Sequence, residues 1–105
     1  MTDKRIVLTT AGSIEEAQRI AAALVEQRLA ACVNILPGVE SVFRWQGKID
    51  RTSEWLMIIK TKGEAFERVR DAIQKLHSYD VPEIISLEID DGSAAYLQWI
   101  DETVS

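Results

Sequence analysis

The stretch "KRIVLTTAGSIEEAQRIAAALVEQR", residues 4–28, decides the fold of this chain. Its first eight residues are short, β-branched and apolar, which predicts a β-strand over residues 4–11. Ser13 and Glu16 then form a capping box, in which the two side chains satisfy free backbone amides at the start of a helix. Apolar residues recur at helical spacing after the box: Ile14, Ala17, Ala21, Leu24 and Val25. The stretch therefore predicts a strand followed directly by a helix over residues 13–28.

The rest of the chain repeats this order with one extra strand. Apolar, β-rich segments predict a second strand over residues 30–36 that bends at Pro37-Gly38 and continues over 39–45, and further strands at 53–61 and 82–89, with a polar turn over residues 46–52. Helices are predicted at residues 63–77 and, with Ser93 as N-cap, 93–104. The order βαββαβ is the split βαβ arrangement of ferredoxin-like folds, an α+β class. We expect an extended hairpin between the second and third strands and a short C-terminal helix.

Length and composition restrict the function classes. The 105 residues are expected to form a single domain, 1–105, and 47% of them are hydrophobic, which argues against disorder. The net charge of −5 argues against a nucleic-acid partner. We see no apolar run of membrane-spanning length and no secretion signal, so no membrane partner is expected. The single cysteine, Cys32, excludes an intrachain disulfide and favours a reducing, cytoplasmic location.

Strand alternation divides the apolar residues between two faces of the sheet. The face predicted to lie under the helices carries Ile6, Leu8, Val33, Ile35, Met57, Ile59, Ile85 and Leu87. The opposite face carries Val7, Thr9, Cys32, Asn34, Leu36, Leu56, Ile58, Lys60, Ile84, Ser86 and Glu88. This second face is too apolar to stand in water, and two helices can cover only one face. An apolar surface of this kind indicates an interface, so we expect other subunits to cover it.

Three blocks, "RLAACVNILPGVESVFRWQGKI", "SEWLMIIKT" and "LHSYDVPEII…YLQWI", together resemble the CutA divalent-cation tolerance family. The resemblance runs nearly end to end. It implies a ferredoxin-like fold and a homotrimer in which long hairpins embrace the neighbours and subunit clefts lie near His77. It also implies a link to copper and other divalent ions, and an assembly like that of PII-type signalling proteins.

Two departures from the family pattern concern metal binding. Family members often read His-Pro-Tyr-Glu-Val-Pro where residues 77–82 here read His-Ser-Tyr-Asp-Val-Pro. Some members place a Cys at the position of Thr9 and a second His at the position of Leu76, and those positions are tied to copper binding. The resemblance therefore implies a weaker copper site in this chain.

His77 is the candidate metal ligand, and it has two interpretations. As the last residue of a predicted helix it could cap free carbonyls. As the one imidazole it could ligate Cu(II) or another divalent cation. One His and one Cys per chain cannot build a closed site, which usually needs three or four ligands. We therefore expect at most weak metal binding at His77.

Six further residues are candidates for lining a ligand cleft: Cys32, Asn34, Glu54, Lys60, Tyr79 and Glu83. Cys32 is flanked by small and apolar residues, which also fits an inert buried thiol. Glu54 and Lys60 share a strand face among apolar neighbours, which fits either an ion pair or a cleft that grips a small anion or metal complex. Trp45 and Trp55, near the hairpin, are predicted anchors of the trimer interface.

Two functions therefore remain open. The first is a homotrimeric cytoplasmic protein that binds divalent metal weakly and supports metal tolerance. The second is a PII-like small-molecule sensor or scaffold in which metal binding is incidental. Either function could involve a protein partner of unknown identity. An enzyme is not expected, because no nucleophile and base stand at workable spacing.

Overall fold

The computed structural model describes residues 2–105 and contains a four-stranded antiparallel sheet with three α-helices. The strands are β1 (Lys4–Ala11), β2 (Cys32–Trp45), β3 (Lys48–Lys62) and β4 (Ile85–Glu88). The helices are α1 (Ile14–Glu26), α2 (Phe66–Leu76), which follows a 3-10 turn at Gly63–Ala65, and α3 (Ala94–Thr103). The strand order in the sheet is β2-β3-β1-β4. The predicted ferredoxin-like α+β fold is confirmed.

The start of α1 follows from the predicted cap, with one change. The Ser13 hydroxyl accepts a hydrogen bond from the Glu16 amide at 3.1 Å. The Glu16 carboxylate bonds the amide of Gly12 at 3.4 Å, one residue outside the usual capping box. Glu16 is therefore buried at the junction of β1 and α1, where it can also reach other parts of the chain.

The β2–β3 hairpin is longer than predicted. Its turn is only Gln46-Gly47, both with positive φ (50° and 80°), as two-residue hairpin turns with the right twist require. The predicted polar turn over residues 46–52 is therefore wrong, since pairing already starts at Trp45↔Lys48. A bulge lies between Leu36 and Val39. The partner strand β1 ends at the pair Ala11↔Trp55, so the hairpin extends beyond the sheet as expected.

The core lies between the sheet and the helices α1 and α2. Fully buried residues from the two layers form it: Val7, Met57 and Ile59 from the sheet, Ile20 and Leu24 from α1, and Val69 and Ile73 from α2. We call this sheet surface the closed face. The predicted faces were right for β2 and β3 and wrong for β1 and β4.

The pairing register shows why those two strands are reversed. Val7 lies opposite Ile59 and Thr9 lies opposite Met57, which places both β1 residues on the closed face. Ile6 and Leu8 lie on the opposite surface, directly across from Leu87 and Ile85 of β4. We call this second surface the open face; its apolar residues are Ile6, Leu8, Leu36, Leu56, Ile58, Ile85 and Leu87.

Helix α3 covers one end of the open face. Lys4 and Lys62, which share the face of Ile6 and Ile58 by alternation, both form salt bridges with Asp101 of α3. Beside them, two α3-end residues and two alanines form a small buried cluster: Ile100, Val104, Ala31 and Ala65. The other end has no such cover, and Ile85 and Leu87 are 49% and 46% exposed.

Candidate functional site

A groove of about 880 Å³ lies between the overhanging hairpin and the segment 78–83 that follows α2. Carboxylates, aromatic rings, hydroxyls and a few aliphatic side chains line it: Asp50, Glu54, Asp80, Glu83, Phe43, Trp45, Tyr79, Thr10, Ser41, Thr52, Ser78, Val42, Val81 and Pro82. The groove borders the open face, because Glu54 and Leu56 project from the same side of β3.

Glu54 is the polar centre of the groove. It is only 5% exposed, and its two carboxylate oxygens accept hydrogen bonds from the hydroxyls of Ser41 (2.5 Å) and Tyr79 (2.7 Å). Burial, the bond to Glu54 and the charges of Glu54 and Glu16 together raise the pKa of Tyr79 to about 12. The phenol therefore stays protonated at neutral pH and acts as a donor that fastens segment 78–83 to the hairpin.

His77 lies behind the groove with both ring nitrogens engaged. Nε2 donates to the carbonyl of Thr10 at 2.6 Å, and Nδ1 accepts from the amide of Tyr79 at 3.1 Å. The pattern fits a neutral imidazole with its proton on Nε2. The side chain is fully buried, and its ring lies 4.7 Å from the ring of Tyr79. In this arrangement no nitrogen lone pair of His77 is free for a metal ion.

Glu16 supports this arrangement from α1. Its carboxylate accepts from the amides of Ser78 (2.7 Å) and Gly12 (3.4 Å), and lies 3.9 Å from Nδ1 of His77. Burial alone would raise the pKa of Glu16, but the hydrogen bonds from Ser78 and from the Gly12 amide outweigh burial and lower the pKa. The ionised carboxylate therefore anchors the segment that carries Tyr79.

The six predicted cleft residues separate into two groups. Glu54, Tyr79 and Glu83 line the groove. The other three lie on the open face toward α3, where Lys60 Nζ contacts Asn34 Oδ1 and lies 4.0 Å from Cys32 Sγ. Burial and the neighbouring Cys32 raise the pKa of Tyr96 on α3, which borders this second group.

The donor atoms of one chain do not fit a metal centre. Within residues 2–105, no three His, Cys, Asp or Glu side chains come together in a way that could hold a metal ion. Metal binding at His77 stays a prediction, and it would require the ring to give up a hydrogen bond or ligands to come from another chain.

The two tryptophans predicted as interface anchors differ in environment. Trp45 lines the groove at the end of β2 and is 45% exposed. Trp55 is partly buried against the closed-face core. Their role in a trimer interface stays a prediction, and the exposure of Trp45 makes it the better candidate.

Sequence reasoning did not single out Ser41, or any tertiary role for Glu16. The position of Glu16 in the predicted capping box already accounted for a carboxylate there, so the sequence did not suggest a distant partner. Ser41 carries no local signal, because its contact with Glu54 arises only when β2 and β3 pair.

The chain is similar over nearly its whole length to proteins named for divalent-cation tolerance. The divalent-cation tolerance protein CutA of Thermus thermophilus is 48% identical over 99 residues, which cover 94% of this chain and 96% of that protein. A solved CutA structure from Archaeoglobus fulgidus has a TM-score of 0.94 and 48% identity, and the match covers 97% of this chain and 99% of that one. The chloroplastic CutA of Arabidopsis thaliana is 44% identical over 95 residues, which cover 90% of this chain and 52% of that protein.

These relatives correct the predicted cytoplasmic location. The Archaeoglobus protein is described as periplasmic, and the Arabidopsis protein is chloroplastic. The inference from Cys32 was wrong, because a chain with one cysteine lacks an intrachain disulfide in any compartment. Among residues 2–105, no helix combines the length and apolar character needed to cross a membrane.

The family comparison agrees with these relatives. Residues 5–103 match the family described as CutA1 divalent ion tolerance protein, a span that runs from β1 to the end of α3. This chain therefore belongs to the CutA1 divalent ion tolerance protein family.

Proposed function

We propose that this chain acts in divalent-cation tolerance as a homotrimer, with neighbouring subunits covering the open face and part of the hairpin, with the groove left open at a subunit boundary, and with divalent ions such as Cu(II) bound weakly at such boundaries. The observation that carries the assembly is the open face. Seven aliphatic side chains share it, and α3 leaves Ile85 and Leu87 about half exposed. A contiguous apolar surface of this kind is rare on proteins that stay monomeric.

The hairpin gives further support to the assembly. Beyond the pair Ala11↔Trp55 it has no neighbouring strand within the described chain, yet it exposes Val42, Phe43 and Trp45. A two-stranded hairpin is marginally stable alone in water, so a covering partner would stabilise it. The number three comes from the family resemblance.

Weak metal binding at subunit boundaries follows from the ligand supply. One chain brings one His, one Cys and scattered carboxylates, which do not converge within residues 2–105. Threefold repetition multiplies the ligands available where subunits meet. A site of nitrogen and oxygen donors would favour Cu(II) over Zn(II) by the usual divalent order.

Light scattering tests the assembly, and calorimetry tests the metal. We expect three chains per particle at micromolar concentration, and a stable monomer would contradict the proposal. Titration with Cu(II) should give a weak saturable isotherm that weakens as the pH falls, since protons compete with the metal for its ligand atoms. His77→Ala should weaken it and Cys32→Ser should leave it unchanged. Equal binding by wild type and His77→Ala would remove His77 from the site.

A second candidate function is a PII-like small-molecule sensor or scaffold. The groove of about 880 Å³ favours it, since small-molecule sites typically measure about 300–1,000 Å³. This candidate expects no saturable copper site in the same titration, and it expects an organic ligand in the groove.

A further inference from the structure

The groove contains a buried carboxylate, that of Glu54, with no counter-charge among the described residues. Glu54 is 5% exposed, and within residues 2–105 its carboxylate accepts hydrogen bonds from two neutral hydroxyls, those of Ser41 and Tyr79. Among residues 2–105, no Lys, Arg or His side chain forms a salt bridge with it. Buried charges are normally paired with a charge of opposite sign or coordinate a metal ion. Glu54 therefore lacks the cation that its environment calls for.

The other groove residues favour the same sign of ligand. Every charged side chain that lines the groove is a carboxylate, and three of them, Asp50, Asp80 and Glu83, are exposed to solvent. Ring faces are the second component. Phe43 and Trp45 project from the same side of β2 as Ser41, and Tyr79 comes from the facing segment. Cations with planar or compact heads are attracted to such rings.

We infer that the groove binds a small organic cation with N–H donors, a guanidinium or a primary ammonium, whose charged head pairs with Glu54 and whose apolar part contacts Phe43 and Trp45. Each Glu54 oxygen accepts one hydroxyl and keeps capacity for one N–H donor. The inference deepens the second candidate function and rests on it, because the groove must be a ligand site. It does not rest on metal binding.

A bare metal ion fits this groove less well than an organic cation. The described carboxylates do not gather into a group of three that could hold an ion. The two hydroxyls already fix the orientation of the Glu54 carboxylate. Its remaining lone pairs therefore point in fixed directions, as the parallel N–H donors of a guanidinium require. The planar guanidinium also stacks on aromatic faces, and a spherical metal ion cannot stack in this way.

Three probes with short alkyl chains test the charge of the ligand: butylguanidinium, butylurea and butyrate. Calorimetric titration of the full chain should show saturable binding of butylguanidinium, at least about tenfold tighter than its neutral isostere butylurea, since a charge-assisted bond is lost. Butyrate should not bind. Light scattering of the same samples reports the oligomeric state separately, so a change in assembly is not mistaken for a change in affinity.

Two variants test the residue. Glu54→Gln keeps the shape and removes the charge, and it should weaken butylguanidinium at least about tenfold while butylurea binding changes little. Glu26→Gln makes the same change in net charge at the exposed end of α1 and should leave affinity within about twofold. If Glu54→Gln does not fold, the double variant Asp80→Asn, Glu83→Gln, which alters exposed side chains, should weaken binding by about fourfold.

The outcomes separate the inference from the function on which it rests. Equal binding of butylurea, or binding of butyrate in its place, overturns the organic-cation inference and leaves the groove as a ligand site. Failure of all three probes overturns both. Binding of Cu(II), but not of butylguanidinium, that depends on Glu54 would make the groove an ion site and also overturns the inference.

Discussion

The two faces of the sheet are built from similar strand patterns and have opposite surroundings. On the closed face, Val7, Met57 and Ile59 are completely buried by α1 and α2. On the open face, Ile85 and Leu87 keep about half of their surface in water, because α3 reaches only the Lys4–Lys62 end. An alternating apolar pattern therefore does not by itself tell which face of the sheet the chain's own helices cover.

The largest expected effect contrasts the two faces directly. Ile59→Ala should lower the free energy of unfolding by about 2–5 kcal/mol at every protein concentration, since it leaves a cavity in a sealed core. Ile85→Ala should cost less than about 1 kcal/mol in dilute protein and more as concentration rises and the face is covered. Urea unfolding across a concentration series measures both. Equal costs in dilute protein would mean that the single chain already covers the open face.

The hairpin offers the next contrast. Trp45→Ala should cost about 2 kcal/mol per subunit in assembled protein, roughly half the cost at a fully buried tryptophan, and should shift light scattering toward smaller particles. Ile49→Ala alters the same hairpin on the face away from the groove and should do neither. Unchanged melting temperature and particle size in Trp45→Ala would remove Trp45 from the interface.

A smaller effect is expected at the polar edge of the closed face. Glu16→Gln should lower stability by about 1–2 kcal/mol at pH 7, because it weakens the bonds to the Ser78 and Gly12 amides. The pKa of Glu16 is lowered from 4.5 on folding, so this advantage is present above that value and lost as pH falls through the folded pKa. Paired unfolding curves of wild type and variant between pH 7 and about pH 3 measure the convergence.

The matched control for this prediction is Glu15→Gln, an exposed carboxylate in the same first turn. It should change stability by less than about 1 kcal/mol, through the helix dipole alone. A constant difference between wild type and Glu16→Gln at all pH values would contradict the assigned pKa shift.

The smallest effect is a gain in stability on the closed face. Thr9 is completely buried, and its hydroxyl has no hydrogen-bond partner within the described chain. Thr9→Val should therefore stabilise the protein by about 1 kcal/mol. Thr61→Val is the control of opposite sign, because the Thr61 hydroxyl donates to the Leu29 carbonyl at 2.6 Å. If both variants destabilise the protein in thermal unfolding, the Thr9 hydroxyl has a partner.

Much of the fold and half of the site could be predicted from sequence. The Ser13 cap, the Pro37-Gly38 bend and the alternation in β3 are local signals, and the elements formed where those signals lie. Glu54, Tyr79 and Glu83 were found as candidates and do line one groove. Cys32, Asn34 and Lys60 were assigned to the same cleft, but they lie elsewhere on the open face, because the sequence gives no distance between strand positions.

The sequence by itself determined the order of strands and helices, because caps, turns and periodicity act over a few residues. Only the tertiary structure decided which face of β1 is inside. Ile6 and Leu8 are as apolar as Val7, so the alternating pattern of β1 does not distinguish its two faces. The pairing of Val7 with Ile59 places Val7 on the closed face. His77 was decided in the same way: its ring donates to the Thr10 carbonyl, 67 residues earlier in the chain, and a contact across that separation exists only once the sheet and α2 have packed together.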